Sequence, residues 1–134
     1  PLAAPLRPSH LYVDFDRTLC STRGGSPLNG HHSIDEELLS VVSQFVGEKG
    51  NAAVQVVTRN AHVDAIKTFL ARSGLGDVGV TRIARPRSKA EVVAAKGGEG
   101  GEVALFVDDT IGEHLDEEMR AAVGVVRFLF VRSL

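Results

Sequence analysis

Short apolar, β-rich runs alternate with helical patterns from one end of the chain to the other. This alternation limits the fold more than any other feature of the sequence. The runs are LYVDF (11–15), AVQVV (53–57), VGVTRI (78–83), VALFV (103–107) and VVRFLFV (125–131). Three of them show little polar alternation, as expected of strands covered on both faces in a parallel sheet. Between them, a first helix is predicted from Ser33, with Glu36 at capping-box spacing, through Leu38, Leu39, Val42, Phe45 and Val46 to Gly47. A second runs from about Ala61 to Ser73, with Val63, Ile66, Phe69 and Leu70 on one stripe and Gly74 as its stop. A third starts near Ser88 and ends before GGEGG, and a fourth spans about Gly112 to Ala122. The expected architecture is α/β, a parallel sheet between layers of helices.

The 134 residues suit one domain and leave no room for two full ones. Residues 1–10, PLAAPLRPSH, read as a Pro-rich linker or extension, with the domain proper over 11–134. A chain that starts with Pro1 fits a processed protein or one domain of a longer parent. The segment KGGEGGE (96–102) reads as a flexible surface loop. Residues 19–32 form the longest connection without a clear element, and long connections in compact domains are often functional.

At 43% hydrophobic and 24% charged residues, the composition is that of a soluble globular protein. No apolar run approaches the ~18 residues of a membrane span, and the N-terminus lacks the pattern of a signal peptide. The single cysteine, Cys20, excludes an internal disulfide and fits a reducing compartment, so an intracellular, cytoplasmic protein is the default expectation. A net charge of −2 gives no overall field for polyanions. Locally, RIARPRSK gathers Arg82, Arg85, Arg87 and Lys89 with no acid among them; its plain reading is a solvated basic loop.

The strand ends are where an open α/β sheet binds ligands. Asp14 and Asp16 lie one residue apart at the end of the first strand, so they point to the same side. Two close carboxylates need a cation or a retained proton, unless both lie solvated in a polar turn. The second strand ends in Thr58, Arg59 and Asn60, the fourth in Asp108, Asp109 and Thr110, and Lys89 opens the helix before the fourth strand. Singly, Asn60 could cap the second helix, VDDT the fourth, and Lys89 could be a surface lysine. Together they supply carboxylates for a hard divalent cation, hydroxyls for phosphate oxygens and a lysine to offset phosphate charge.

In their order, DFDRT, VVTRN, SKAEVV and FVDDT resemble the motifs of the haloacid dehalogenase (HAD) superfamily of phosphohydrolases, over about residues 11–131. The resemblance implies a Rossmann-like three-layer sandwich whose five-stranded parallel sheet has the order 5-4-1-2-3, here with no room for a folded cap. It also implies roles. Asp14 would be the nucleophile, forming an aspartyl-phosphate, and Asp16 the general acid and then base. Thr58, Arg59 and Lys89 would bind the phosphoryl group. Mg²⁺ would be held by Asp14, the backbone carbonyl of Asp16, and one or both of Asp108 and Asp109. Thr18 would order the turn. An acid at Asp16 favours a phosphatase over a dehalogenase.

An open site suits a bulky phosphorylated substrate, such as an RNA or DNA end or a phosphoprotein. The stretch STRGG resembles the one that follows the first motif in polynucleotide 3′-phosphatases, with Thr22, Arg23 and Gly24 matching in type. Arg82, Arg85 and Arg87 could line the approach to Lys89 and pair with flanking phosphates. Against nucleic acid stand the net charge and an aromatic content of 5%. Arg17 departs from the small or acidic residue usual at its position and would put a cation beside the metal. His31 and His32 read as solvated loop residues, Cys20 as a small buried side chain and Glu113 as a first-turn helix acid. Two other functions stay open: a protein or small-molecule phosphatase of the same fold, and a silent HAD domain serving as a binding module.

Overall fold

The structure, a computed structural model, describes residues 7–93 and 102–132. In chain order the elements are β1 (Arg7–Val13), α1 (Glu36–Lys49), β2 (Val54–Thr58), α2 (Val63–Arg72), β3 (Gly79–Arg82), α3 (Ala90–Val93), β4 (Glu102–Asp108), α4 (Ile111–Leu115), α5 (Glu117–Ala121) and β5 (Val125–Leu129). A single 3₁₀ turn at Asn51–Ala53 leads into β2. The strands form one parallel sheet in the order β3-β2-β1-β4-β5, the expected order read from its other edge.

Strand periodicity builds two cores, one on each face of the sheet. Leu11 and Val13 of β1 and Val54 and Val56 of β2 meet Leu38 and Val42 of α1 and Ile66 and Leu70 of α2. Their neighbours Tyr12 and Val57, with Ala104 and Phe106 of β4, meet Ala90 and Val93 of α3 and Met119 of α5. The result is three layers. Each large apolar side chain sealed in this way contributes roughly 1.5–3 kcal/mol.

β1 is central. Val13 is level with Val56 of β2 on one side and with Val107 of β4 on the other. The chain leaves β1 for β2 and returns later to β4, so strand order reverses here and the carboxyl ends of all three strands border one crevice.

Several boundaries differ from expectation. β1 starts at Arg7, so residues 7–10, expected in the linker, instead pair with β4; residues 1–6 lie outside the described residues. The pairing shifts register between Pro8 and His10, where Pro8 has no N–H to give to the ladder. α1 is capped by Asp35, whose Oδ1 accepts from Leu38 N at 2.9 Å, rather than by Ser33, because the helix begins at Glu36. The expected helix over 112–122 is two short ones. Asp116 breaks it with an extended backbone (ψ 132°) and caps α5 by accepting from Met119 N at 3.0 Å. The third helix has its first residue at Ala90, whose N–H is accepted by Ser88 Oγ. Its end, and the expected loop over 96–101, lie outside the described residues, and Glu102 already belongs to β4. Among the described residues, no helix is long and apolar enough to cross a membrane.

Candidate active site

The centre of the crevice is a buried ammonium. Lys89, 2% exposed, donates from Nζ to Asp14 Oδ1 at 2.9 Å and to Asp108 Oδ2 at 2.7 Å. Glu113 Oε2 lies 3.9 Å away. Lys89 is therefore no surface lysine. Burial alone would lower its pKa, but Asp14 and Asp108 outweigh burial and hold it above the ordinary value. Burial pushes the Asp14 carboxyl up to about 8; Lys89 opposes this, while Asp108 and Asp109 add to it. One lysine does not neutralise this many acids.

Carboxylate oxygens of Asp14, Asp108 and Asp109 all lie within 4.8 Å of one another. Clustered carboxylate oxygens at a strand end suit a hard divalent cation, which would relieve the repulsion that Asp108 and Asp109 add to the burial of Asp14. The residues present therefore fit a metal, held by Asp14, Asp108 and Asp109.

A tight turn follows β1. Cys20 N donates to Phe15 O at 2.9 Å, and Arg17 takes a left-handed backbone with φ 56°. The turn brings Thr18 back under the acids: its Oγ1 donates to Asp14 Oδ2 at 3.1 Å and lies 3.3 Å from Asp109 Oδ1. Asp16 is held from the other side. Its Oδ1 accepts from Gly24 N at 2.8 Å and from Asn60 Nδ2 at 3.0 Å, and among the described residues neither bond involves Oδ2. Asn60 is not the N-cap of α2, which is His62, but its Oδ1 accepts from His62 N at 2.8 Å just before the helix. It fastens Asp16 and Gly25 O to the end of β2, a role the sequence reading missed.

Asp14, Asp16 and Asp109 border a pocket of about 330 Å³ whose cationic lining is Arg17, Arg23, Arg59, Arg85 and Lys89. Arg17 sits beside Asp109, with Nε 3.6 Å from Oδ2. Arg82 and Arg87, expected along the approach, do not line the pocket; Arg87 is drawn into an exposed pair with Glu91 one helical turn away, at 2.6 Å. Thr58 is fully buried and also off the pocket wall, its Oγ1 accepting from Asn60 N at 3.0 Å. Thr22 Oγ1 is buried with no hydrogen-bond partner among the described residues.

Arg59, expected to grip phosphate, is largely engaged by protein. Nε and Nη2 donate to Glu113 at 2.8 Å each, and Nη1 donates to Ile83 O at 3.2 Å and Arg87 O at 2.5 Å. Glu113 is a first-turn acid of α4, as expected, and it is buried. Burial would raise its pKa, but the Arg59 hydrogen bond and the Lys89 charge bring it below the ordinary value. His114 supports the floor: Nε2 stands 2.9 Å from Asp108 O, so that nitrogen carries the proton. His32 pairs with Ser21 Oγ at 3.2 Å and, with His31, lines a separate groove. Cys20 is buried, as expected.

No protein-family model, no curated protein and no solved structure matches the chain.

Proposed function

We propose that the chain is a Mg²⁺-dependent phosphomonoesterase of HAD type, acting through an aspartyl-phosphate on a bulky substrate such as a nucleic-acid phosphate end. The observation that carries this reading is Lys89 bridging Asp14 and Asp108 at a strand-end pocket that Asp16 also lines. A nucleophilic carboxylate, a second carboxylate beside it and a buried cation are the parts covalent phosphoryl transfer requires.

In the first step an Asp14 oxygen attacks phosphorus, forming an O–P bond as the bond to the leaving oxygen breaks. Asp16 gives that oxygen its proton. Asp16 then takes a proton from water, which attacks phosphorus and returns Asp14 as free carboxylate and phosphate as product. Lys89 favours the ionised form of Asp14 against burial, and the hydrogen bonds to Asp16 Oδ1 leave Oδ2 to carry the proton. A bound Mg²⁺ would complete that ionisation, neutralise the acids and screen Asp14 from an anionic substrate. Arg17, Arg23 and Arg85, all exposed at the same pocket, supply more positive charge than one phosphoryl group needs, which supports a polyanionic substrate.

The test is phosphate release with Mg²⁺ from 3′- and 5′-phosphorylated oligonucleotides, phosphopeptides and a small aryl phosphate, with Asp14→Asn as blank. Release from an oligonucleotide end supports the full reading. Release only from phosphopeptides makes the chain a protein phosphatase, and Mg²⁺ binding without any release makes it a binding module.

A further inference from the structure

Beside the pocket lies a second groove of about 230 Å³ that shares Arg17 and Asp109 with it. Its other walls are mostly apolar: Ile111 from the start of α4, and Leu129, Phe130 and Val131 at and beyond the end of β5. Ile111, Leu129 and Val131 are 60%, 49% and 81% exposed. Phe130 is half-buried and packs against the core. Clustered exposed apolar side chains next to a polar pocket mark a contact surface.

The groove is also built. Phe130 N donates to Asp108 O at 2.9 Å, which carries the sheet ladder past β5. Arg132 donates from Nη1 to Thr18 O at 3.1 Å and from Nη2 to Ser33 O at 3.1 Å and Ser33 Oγ at 3.3 Å. The apolar wall is thereby tied to the two segments that carry Asp14 and Asp108.

We infer that this groove receives the terminal nucleobase of a nucleic-acid strand whose phosphorylated end occupies the main pocket; the inference rests on the phosphomonoesterase reading above. A cavity of ~150 Å³ accepts a benzene ring, so the groove has room for a larger heterocycle. A base offers apolar faces to Phe130 and the aliphatic walls. Arg17 stands at the junction, its side chain 59% exposed, where a guanidinium can stack on a ring or meet a phosphate. Arg23 and Arg85, in the main pocket, remain for flanking phosphates. A strand supplies a phosphate at every nucleotide for those cations, whereas a singly phosphorylated peptide supplies further anions only where its sequence is acidic. The low aromatic content is no obstacle, because a strand end needs one platform rather than a row of them.

The test compares 3′- and 5′-phosphorylated single strands that carry either a normal or an abasic terminal nucleotide. Turnover is measured with wild-type protein and Mg²⁺, and binding with Asp14→Asn protein by fluorescence anisotropy. The normal end should be favoured about tenfold in both, and Val131→Asp, at an exposed position, should bring the ratio close to one. A ratio near one in wild type, or a ratio that survives Val131→Asp, overturns the groove assignment even if strands are hydrolysed. Failure to hydrolyse any strand or a small aryl phosphate overturns the underlying reading, and the binding ratio still decides the groove. A ratio near one together with loss of a dimer in Val131→Asp, read by sedimentation, gives the groove to a second copy of the chain.

Discussion

Arg59 and Glu113 meet through two hydrogen bonds of 2.8 Å, from Nε and Nη2 to the two carboxylate oxygens. Nη1 reaches Ile83 O and Arg87 O, so one guanidinium ties the end of β2 to α4 and to the loop that leads into Lys89. The two side chains are 19% and 7% exposed. Removing either takes the main partner from a mostly buried charge: among the described residues Glu113 then keeps only Lys89, 3.9 Å away, and Arg59 only two carbonyls. Arg59→Ala and Glu113→Ala should therefore each cost about 3 kcal/mol. The double variant should lose less than the sum, by roughly 1–3 kcal/mol. Urea denaturation of the four proteins checks this; simple additivity would mean the pair does not act as a unit.

The same carboxylate sets part of the acid limb. Glu113 titrates below the ordinary 4.5 because Arg59 and Lys89 outweigh burial. A folded-state pKa below the unfolded one contributes stability that is fully present above the unfolded value and is lost as pH falls through the folded one. The Tm difference between wild type and Glu113→Gln should therefore shrink between about pH 6 and about pH 3. A constant difference would show that the charge of Glu113 does not contribute.

What the sequence revealed and what it hid divide along the range of the contacts. The strands and helices follow from local periodicity, and Asp14, Asp108 and Lys89 could be placed together because a parallel sheet brings strand ends to one edge. Asn60 falls at the same edge by the same reasoning, but its contact with Asp16 is not legible in the sequence. Its local chemistry suggests a helix cap, whereas its partner Asp16 is 44 residues away. Glu113 bonds a residue 54 positions away, and Arg132 reaches across 114 to Thr18. Arg87 shows the converse: its nearness to Lys89 in sequence suggested the pocket, but Glu91 one turn on captures it. In α1 the capping-box spacing pointed to Ser33, but the helix begins at Glu36, so Asp35 caps it.

Lys89→Met should be severe before any chemistry is measured. It would leave Asp14 and Asp108, 5% and 0% exposed, without their cation, and a loss of about 3–5 kcal/mol is expected. Lys89→Arg should not restore stability, since a planar guanidinium does not replace a compact ammonium between two carboxylates. Thermal denaturation without Mg²⁺ at about pH 7 tests both; full stability in either variant would show that the bridge is dispensable.

Arg17 holds a left-handed backbone at φ 56°, which costs a non-glycine residue roughly 1 kcal/mol. Its ion pair with Asp109, 3.6 Å long with the arginine side chain 59% exposed, contributes only ~0–1 kcal/mol. Arg17→Gly and Arg17→Ala both delete that pair, so their difference isolates the backbone. Arg17→Gly should be the more stable by about 1 kcal/mol in urea denaturation. Equal midpoints would indicate that the turn relaxes out of the left-handed region.

Asp14 gives the sharpest link between pH and metal. Burial pushes its carboxyl up to about 8, well above the ordinary 3.8, with Lys89 opposing and Asp108 and Asp109 reinforcing the rise. A folded pKa above the unfolded one means that the metal-free fold holds this proton more tightly. Its contribution to stability therefore declines as pH rises from about 4 towards 8. A divalent cation shared by Asp14, Asp108 and Asp109 would take the place of that proton. Mg²⁺ should then raise Tm more at about pH 8.5 than at about pH 6, and its binding at the lower pH should release protons, measurable by calorimetry in buffers of different ionisation enthalpy. Asp14→Asn should remove the pH dependence of the Mg²⁺ effect. An equal Tm gain at both pH values in wild type, with no proton release, would place the cation away from Asp14.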